Sequence, residues 1–113
     1  MVNEGLSEYV RNMTEDRIRT RDVDELLRAF LALDDAEEAY ALLQDLCTIR
    51  EIQDMAQRLQ VARMLAGGEH YTEIQERTGA SATTISRVSK SLNYGADGYR
   101  SILDKLDVDA EEA

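Results

Sequence analysis

The chain has 113 residues, with 23 acidic and 13 basic side chains, a net charge of −10 and an apolar fraction of 43%. That length predicts one domain, and the single cysteine excludes an intrachain disulfide. No apolar run approaches the roughly 20 residues that span a bilayer, and the N-terminus lacks the pattern of a signal peptide. The chain is therefore expected to be cytoplasmic and to have no membrane partner.

The N-terminal part predicts three amphipathic helices with apolar residues at helical spacing. The first covers residues 6–19. Asp22 is placed to cap the second, and either Asp34 or Asp35 is placed to cap the third. Together these helices carry more apolar surface than a chain of this size easily covers by itself. This favours a helical oligomer, most simply a two-fold dimer.

A longer helix is predicted after Thr48, which forms a capping-box pattern with Glu51 three residues later. Gly67–Gly68 is expected to end it. Val61 and Met64 lie off its main apolar face, so the helix is expected to be buried on more than one side.

Two short helices are predicted on either side of Gly79, over residues 72–78 and 82–92. Such a pair is typical of a helix-turn-helix, in which glycine accepts the left-handed turn without steric cost. Ser81 is placed to cap the second helix.

The second of these helices has two unlike faces. Its inward face carries aliphatic residues: Ile85, Val88 and Leu92. Its outward face carries hydrogen-bond donors of varied length: Thr83, Arg87 and Lys90, flanked by Thr84, Ser86 and Ser91. An ordinary amphipathic helix with a solvated face is the alternative. The glycine turn, the short preceding helix and the lack of any acidic residue between Glu76 and Asp97 favour DNA recognition.

The segment "AGGEHYTEIQERTGASATTISRVSKSLNYGADGY" resembles the DNA-binding half of the Trp repressor superfamily. It is most similar to the YerC/YecD-type Trp-repressor-related branch, for which "TGAS…TISRV…LNYGADGY" is characteristic. The resemblance covers about residues 20–106 and is most specific over 48–99. It implies an all-α, Trp-repressor-like fold and an intertwined homodimer, in which N-terminal helices of both chains share a core and two heads read DNA.

We therefore predict a single all-α domain over residues 1–113. Its parts are the dimerisation helices and core helix over about 1–66, the helix-turn-helix over about 70–93, a last helix over about 97–106 and an acidic tail over 107–113.

The predicted function is sequence-specific binding of double-stranded DNA by a homodimeric transcriptional regulator, expected to act as a repressor on a palindromic operator. Arg87, with Thr83 or Thr84, is expected to read base edges, because these side chains can pair with guanine or pack on thymine. Phosphate contacts are expected from Lys90, Ser81 and Ser86. Thr72 and Gln75, on the preceding helix, are expected near the DNA backbone.

The resemblance also raises the question of a corepressor. Tryptophan-responsive members hold the indole between two arginines, and a glycine in the reading helix leaves room for it. Arg87 falls on one arginine and Arg58 on the other, but Val88 occupies the glycine position and would fill the slot. No tryptophan or other cofactor is therefore expected. The alternative is a repressor that responds to tryptophan or another small ligand at a pocket formed by Arg58, Arg87, Val88 and Ser91.

Other kinds of site have little support in the sequence. His70 and Cys47 are the only residues of their types, and neither has a second ligand at metal spacing. An enzyme is therefore not expected. Tyr94 and Tyr99 are expected to pack the last helix against the head. A helical protein-interaction module with a vestigial helix-turn-helix is the remaining alternative.

Overall fold

A computed structural model of the chain describes residues 18–112, and the side chains of residues 18–107. This part is helical and has no strand, so the predicted all-α class is confirmed. The helix predicted over residues 6–19 lies outside it, apart from its last two residues, which are not helical. The described part contains six α-helices: α1 (Arg21–Leu31), α2 (Ala36–Leu46), α3 (Ile49–Ala66), α4 (Tyr71–Thr78), α5 (Ala82–Tyr94) and α6 (Gly98–Glu112). None of these helices is long and apolar enough to cross a membrane.

The described backbone divides into two compact units, which separate between Leu46 and Cys47. The first contains α1 and α2, whose side chains are exposed or at most half-buried. Several large apolar side chains of these helices are exposed: Leu26, Leu27, Phe30, Leu31, Tyr40 and Leu46. An amphipathic helix in a protein is stabilised mainly by burial of its apolar face, so α1 and α2 gain most of that stabilisation only against a further surface.

The caps of α1 and α2 differ in part from the prediction. Thr20 caps α1, since its Oγ1 accepts a hydrogen bond from Val23 N–H at 3.3 Å. The assignment of this cap to Asp22 is wrong, because Asp22 already lies inside the first turn, where its charge faces the helix dipole. For α2, Asp35 is the capping residue, and its Oδ1 accepts from Glu38 N–H at 2.9 Å.

The second unit begins with the capping box of α3, which is confirmed. Thr48 Oγ1 accepts from Glu51 N–H at 3.1 Å, and Glu51 Oε1 accepts from Thr48 N–H at 2.8 Å. The helix ends at Gly67, as predicted, and Gly68 has a φ of 82°. This left-handed residue turns the chain towards α4.

The core of the second unit lies where α3 packs against α4, α5 and α6. Its buried members come from all four helices and from the turn of the helix-turn-helix: Val61, Ala62, Ile74, Ala80, Ile85, Val88 and Leu103. Leu92 is also buried, so the predicted inward face of α5 is confirmed. Val61, which lies off the predicted main apolar face of α3, is fully buried in this core, whereas Ile49 at the start of the helix is 76% exposed.

The last helix is longer than predicted. It begins at Gly98 and continues to Glu112, so most of the segment assigned to an acidic tail has a helical backbone. No glycine or proline occurs between Leu106 and Glu112, and alanine and glutamate are strong helix formers. Nothing in this stretch interrupts the helix.

Candidate nucleic-acid interface

The turn between α4 and α5 is closed by hydrogen bonds of its own residues. Gly79 has a φ of 74°, and its N–H donates to Gln75 O at 2.9 Å. The hydroxyl of Thr78 donates to Ile74 O at 2.7 Å and accepts from Ala80 N–H at 3.1 Å. The left-handed conformation predicted for the glycine is therefore present, and the neighbouring backbone groups have partners.

The start of α5 is fixed by Ser81 and Thr84. Ser81 Oγ accepts from Thr84 N–H at 3.1 Å, which confirms Ser81 as the N-cap, and it donates to Thr84 Oγ1 at 3.1 Å. Thr84 is half-buried, and its hydroxyl is engaged within the cap. Ser81 itself is exposed.

The outward face of α5 is exposed and basic. Thr83, Arg87 and Lys90 are exposed at helical spacing, and Ser86 is exposed beside them. Neither Arg87 nor Lys90 forms an ion pair with any described carboxylate. Both cations are therefore available to a phosphate or a base edge.

The outer surface of α4 has a different electrostatic character. Thr72 and Gln75 are exposed, as an approach to DNA would require. Arg77, however, lies 3.1 Å from Glu69 Oε1 and 3.9 Å from Glu73 Oε1 through its Nη1. The cation of α4 is thus offset by carboxylates, so the unpaired positive charge of the helix-turn-helix lies on α5.

A small cavity brings together Arg58 of α3 and Arg87 of α5. Its volume is about 200 Å³, and its lining is polar: Asp54, Gln57, Arg58, Thr84 and Arg87. The sequence indicated the two arginines but not Asp54 or Gln57, which lie on the same turn of α3. Helical spacing from Arg58 is the signal that could have found them.

The other two residues of the suggested ligand pocket lie elsewhere. Val88 is 2% exposed and belongs to the core. Ser91 lines a separate cavity of about 390 Å³ at the α5–α6 corner, together with Gly95, Ala96, Gly98 and Tyr99. Arg58 and Arg87 thus share one cavity, and Ser91 lines another.

The two tyrosines at the α5–α6 corner differ in how far their side chains are buried. Tyr99 is half-buried and packs against the core cluster, as predicted. Tyr94 is 86% exposed, so the prediction that it packs the last helix against the head is wrong. Arg100 joins the two helices instead, since its Nε donates to Leu92 O at 3.2 Å and its Nη2 donates to Asn93 Oδ1 at 2.9 Å.

The described residues hold no group of three or more histidine, cysteine or carboxylate side chains that could bind a metal ion. His70 is exposed at the start of α4 and makes no capping hydrogen bond through its side chain. Cys47 is a free, half-buried thiol.

Comparison with known proteins places these features in a family. The Trp repressor protein family matches residues 21–107, which contain all of α1 to α5 and much of α6. The chain belongs to the Trp repressor family. This family consists of DNA-binding transcription regulators and not of enzymes, and α4, the Gly79 turn and α5 form the helix-turn-helix of this member.

The chain is similar to proteins known from their sequences and to proteins with solved structures. The uncharacterised protein YerC of Bacillus subtilis is 51% identical over 94 residues, which cover 83% of this chain and 90% of the relative. The crystal structure of a TrpR-like protein from Eubacterium eligens matches with a TM-score of 0.78 and 47% identity, over 80% of this chain and 94% of that chain. A solved structure from Staphylococcus aureus has the same TM-score and identity and is matched over 91% of its length. The resemblance seen in the sequence is confirmed.

Proposed function

We propose that the protein is a sequence-specific, double-stranded-DNA-binding transcriptional regulator that acts as a homodimer and represses its targets. The observation that carries this proposal is the outward face of α5. Its two cations, Arg87 and Lys90, are exposed and unpaired with the described carboxylates, although the whole chain has a net charge of −10. A local basic footprint on a helix-turn-helix is what recognition in the major groove requires.

The exposed residues of α5 suit different roles at the DNA. Arg87 is long enough to pair with guanine O6 and N7, and Thr83 can place its methyl group on thymine or its hydroxyl on a base edge. Thr83 suits base contact better than Thr84, whose hydroxyl is engaged with Ser81. Lys90, Ser81 and Ser86 would contact phosphates, with Thr72 and Gln75 of α4 near the backbone.

The homodimer accounts for the exposed apolar faces of α1 and α2. A second copy of the chain would cover them, which is the expected source of most of the stability of these helices. The two heads would then read half-sites about one helical turn apart on a palindrome. The acidic charge elsewhere on the dimer would weaken non-specific binding, since it repels phosphate.

We propose further that DNA binding does not depend on tryptophan. Burial of Val88 supports this proposal, since its branched side chain lies at the position where tryptophan-responsive members have a glycine. The cavity between Arg58 and Arg87 has a volume of about 200 Å³, below the roughly 300 Å³ at which small-molecule pockets usually begin.

A repressor that responds to a small ligand is the second candidate. The convergence of Arg58 and Arg87 on one cavity favours it, because two guanidinium groups that form no ion pair with a described carboxylate could hold a small anion, against the opposing charge of Asp54 in the same lining. In this case DNA binding would change when the ligand is added, and the ligand would bind with a measurable heat.

The test is selection of bound duplexes from a random DNA pool, with and without L-tryptophan, followed by calorimetry with L-tryptophan alone. The proposal expects the same palindromic motif in both selections, affinity that falls steeply as salt rises, and no heat of binding. Selection of no duplex would overturn DNA binding and favour a protein-interaction module. Micromolar binding of L-tryptophan would overturn only the independence from tryptophan.

A further inference from the structure

One side chain from outside the helix-turn-helix reaches into its turn. Gln57, in the middle of α3, donates from Nε2 to Thr78 O at 3.1 Å. Both residues are half-buried, so the amide and the carbonyl are partly withdrawn from water. Thr78 is the last residue of α4 and directly precedes the left-handed Gly79.

This contact is the only side-chain hydrogen bond from α3 to α4 or α5 in the described part of the chain. The other hydrogen bonds of the turn join residues of the helix-turn-helix to one another. Thr78 O is one of the last carbonyls of α4, which have no partner within their own helix. Gln57 satisfies this carbonyl and ties it to α3.

Apolar packing by itself fixes the position of the turn less precisely than a hydrogen bond does. Val61 and Ala62 are the buried contacts of α3, and they lie about one turn further along the helix than Gln57. Apolar contacts are non-directional, whereas a hydrogen bond depends strongly on both distance and angle. Gln57 therefore supplies the directional contact at the point where the chain leaves α4.

The location of Gln57 also relates it to α5. Its side chain lines the polar cavity that contains Thr84 and Arg87, and it lines a second cavity that contains Arg77 and Thr78. Gln57 thus lies between the end of α4 and the beginning of α5. A change in the turn at this point would alter the angle at which α5 presents its outward face.

We propose that Gln57 is a positioning residue for DNA reading, and that it acts by holding the Thr78 carbonyl and so fixing the orientation of α5. This inference rests on the proposed function. An uncharged N–H donor is what the position requires, since the Thr78 carbonyl accepts and a carboxylate would repel it. Specific recognition depends on the orientation of α5 because base edges must be met at fixed geometry, whereas non-specific binding depends mainly on charge.

The test compares Gln57→Met with Gln60→Met. Both variants lose an amide from α3 and keep a side chain of similar length, but Gln60 is exposed and makes no hydrogen bond to the turn. Affinity for the selected duplex and for a mixed-sequence duplex would be measured at one salt concentration, at a temperature at which circular dichroism shows both variants folded. Gln57→Met is expected to lose about threefold to tenfold in specific affinity and to keep its non-specific affinity. Gln60→Met is expected to change neither.

Two further variants separate positioning from a general loss of stability. Gln57→His retains an N–H donor of similar reach and should recover part of the specific affinity at pH 8. In an Arg87→Ala background, Gln57→Met should cause a smaller further loss of specific affinity than in the parent protein, because one of the base contacts that depend on the orientation of α5 is already absent.

Several results would overturn the inference. If Gln57→Met kept the specific affinity of Gln60→Met, or lost specific and non-specific affinity in equal proportion, Gln57 would have no positioning role. If Gln57→His recovered none of the loss, the hydrogen bond would not be the cause. If the parent protein selected no duplex at all, both the proposed function and the role of Gln57 would be overturned. The other results concern the role of Gln57 alone.

Discussion

Glu51 Oε1 accepts from Thr48 N–H at 2.8 Å, while Thr48 Oγ1 accepts from Glu51 N–H at 3.1 Å. Two donors at the start of α3 that have no partner within the helix are thereby satisfied. The hydrogen bond from the backbone N–H of Thr48, and then that from its side chain, lower the pKa of Glu51 below its ordinary value of 4.5. The capping box therefore favours the ionised form of the Glu51 carboxylate.

The first prediction concerns the pH dependence of this cap. A carboxyl group whose pKa is lowered in the folded protein stabilises it above the unfolded pKa and loses that effect as pH falls through the folded pKa. The parent protein should therefore be more stable than Glu51→Gln at pH 7, and the difference should shrink below pH 4.5. Thermal unfolding of both proteins at one protein concentration from pH 7 to pH 3 measures this. A difference that is the same at every pH would show that the charge has no role.

The second prediction concerns the turn of the helix-turn-helix. Gly79 has a φ of 74°, and a Cβ added there would meet no atom within 4 Å. Gly79→Ala should therefore cost only the left-handed conformation, about 1–2 kcal/mol. Gly79→Asn should cost less, because asparagine tolerates this conformation. Chemical denaturation measures both values, and an equal loss in the two variants would indicate a steric cause instead.

The third prediction concerns Gly95, where a side chain is excluded by steric overlap and not by a left-handed backbone conformation. Its φ of −89° lies outside the left-handed region, but an added Cβ would overlap the carbonyl oxygen of Ser91. Gly95→Ala should disturb the last turn of α5 and cost more than Gly79→Ala. Gly95→Asn should give no relief, because it has the same Cβ. If Gly95→Asn were less destabilising than Gly95→Ala, the overlap would not be the cause.

The fourth prediction contrasts the two tyrosines of the α5–α6 corner. Tyr94 is 86% exposed, so Tyr94→Ala should change the free energy of unfolding by no more than about 0.5 kcal/mol. Tyr99 packs against the core, so Tyr99→Ala should cost about 2 kcal/mol, below the full cost of a buried aromatic residue. Urea denaturation at matched protein concentration compares them. Equal losses in the two variants would contradict the difference in packing.

These two tyrosines also show what the sequence could and could not predict. Helical spacing correctly identified the buried face of α5, because Ile85, Val88 and Leu92 repeat at the period of the helix. Tyr94 has the amphipathic side chain of a packing residue, but its place depends on where α6 starts, which is a property of the tertiary fold. Spacing along one helix does not contain that information.

Helix ends were predictable where the signal is local. The capping box at Thr48 and the cap at Ser81 were correct, because each depends on residues within one turn. The sequence pattern favoured Asp22 as the cap of α1, but threonine is also a good capping residue, and only the backbone shows that Thr20 precedes the helix. Gln57 was missed for a related reason, since its partner lies 21 residues away along the chain.

The last prediction separates Arg87 from Lys90, which lie on the same face of α5 and carry the same charge. Arg87 suits base edges, so Arg87→Ala should reduce affinity for the selected duplex by about tenfold or more and relax the sequence preference at one position of each half-site. Lys90 suits phosphate, so Lys90→Ala should weaken binding to all duplexes in similar proportion. In a dimer with one such contact per head, Lys90→Ala should also reduce the slope of log affinity against log salt by about two.

Lys105→Ala, which removes an exposed cation from α6, is the matched control and should leave the sequence preference unchanged. Full specific affinity of Arg87→Ala, in a variant that stays folded, would contradict the place given to Arg87 at the base edges.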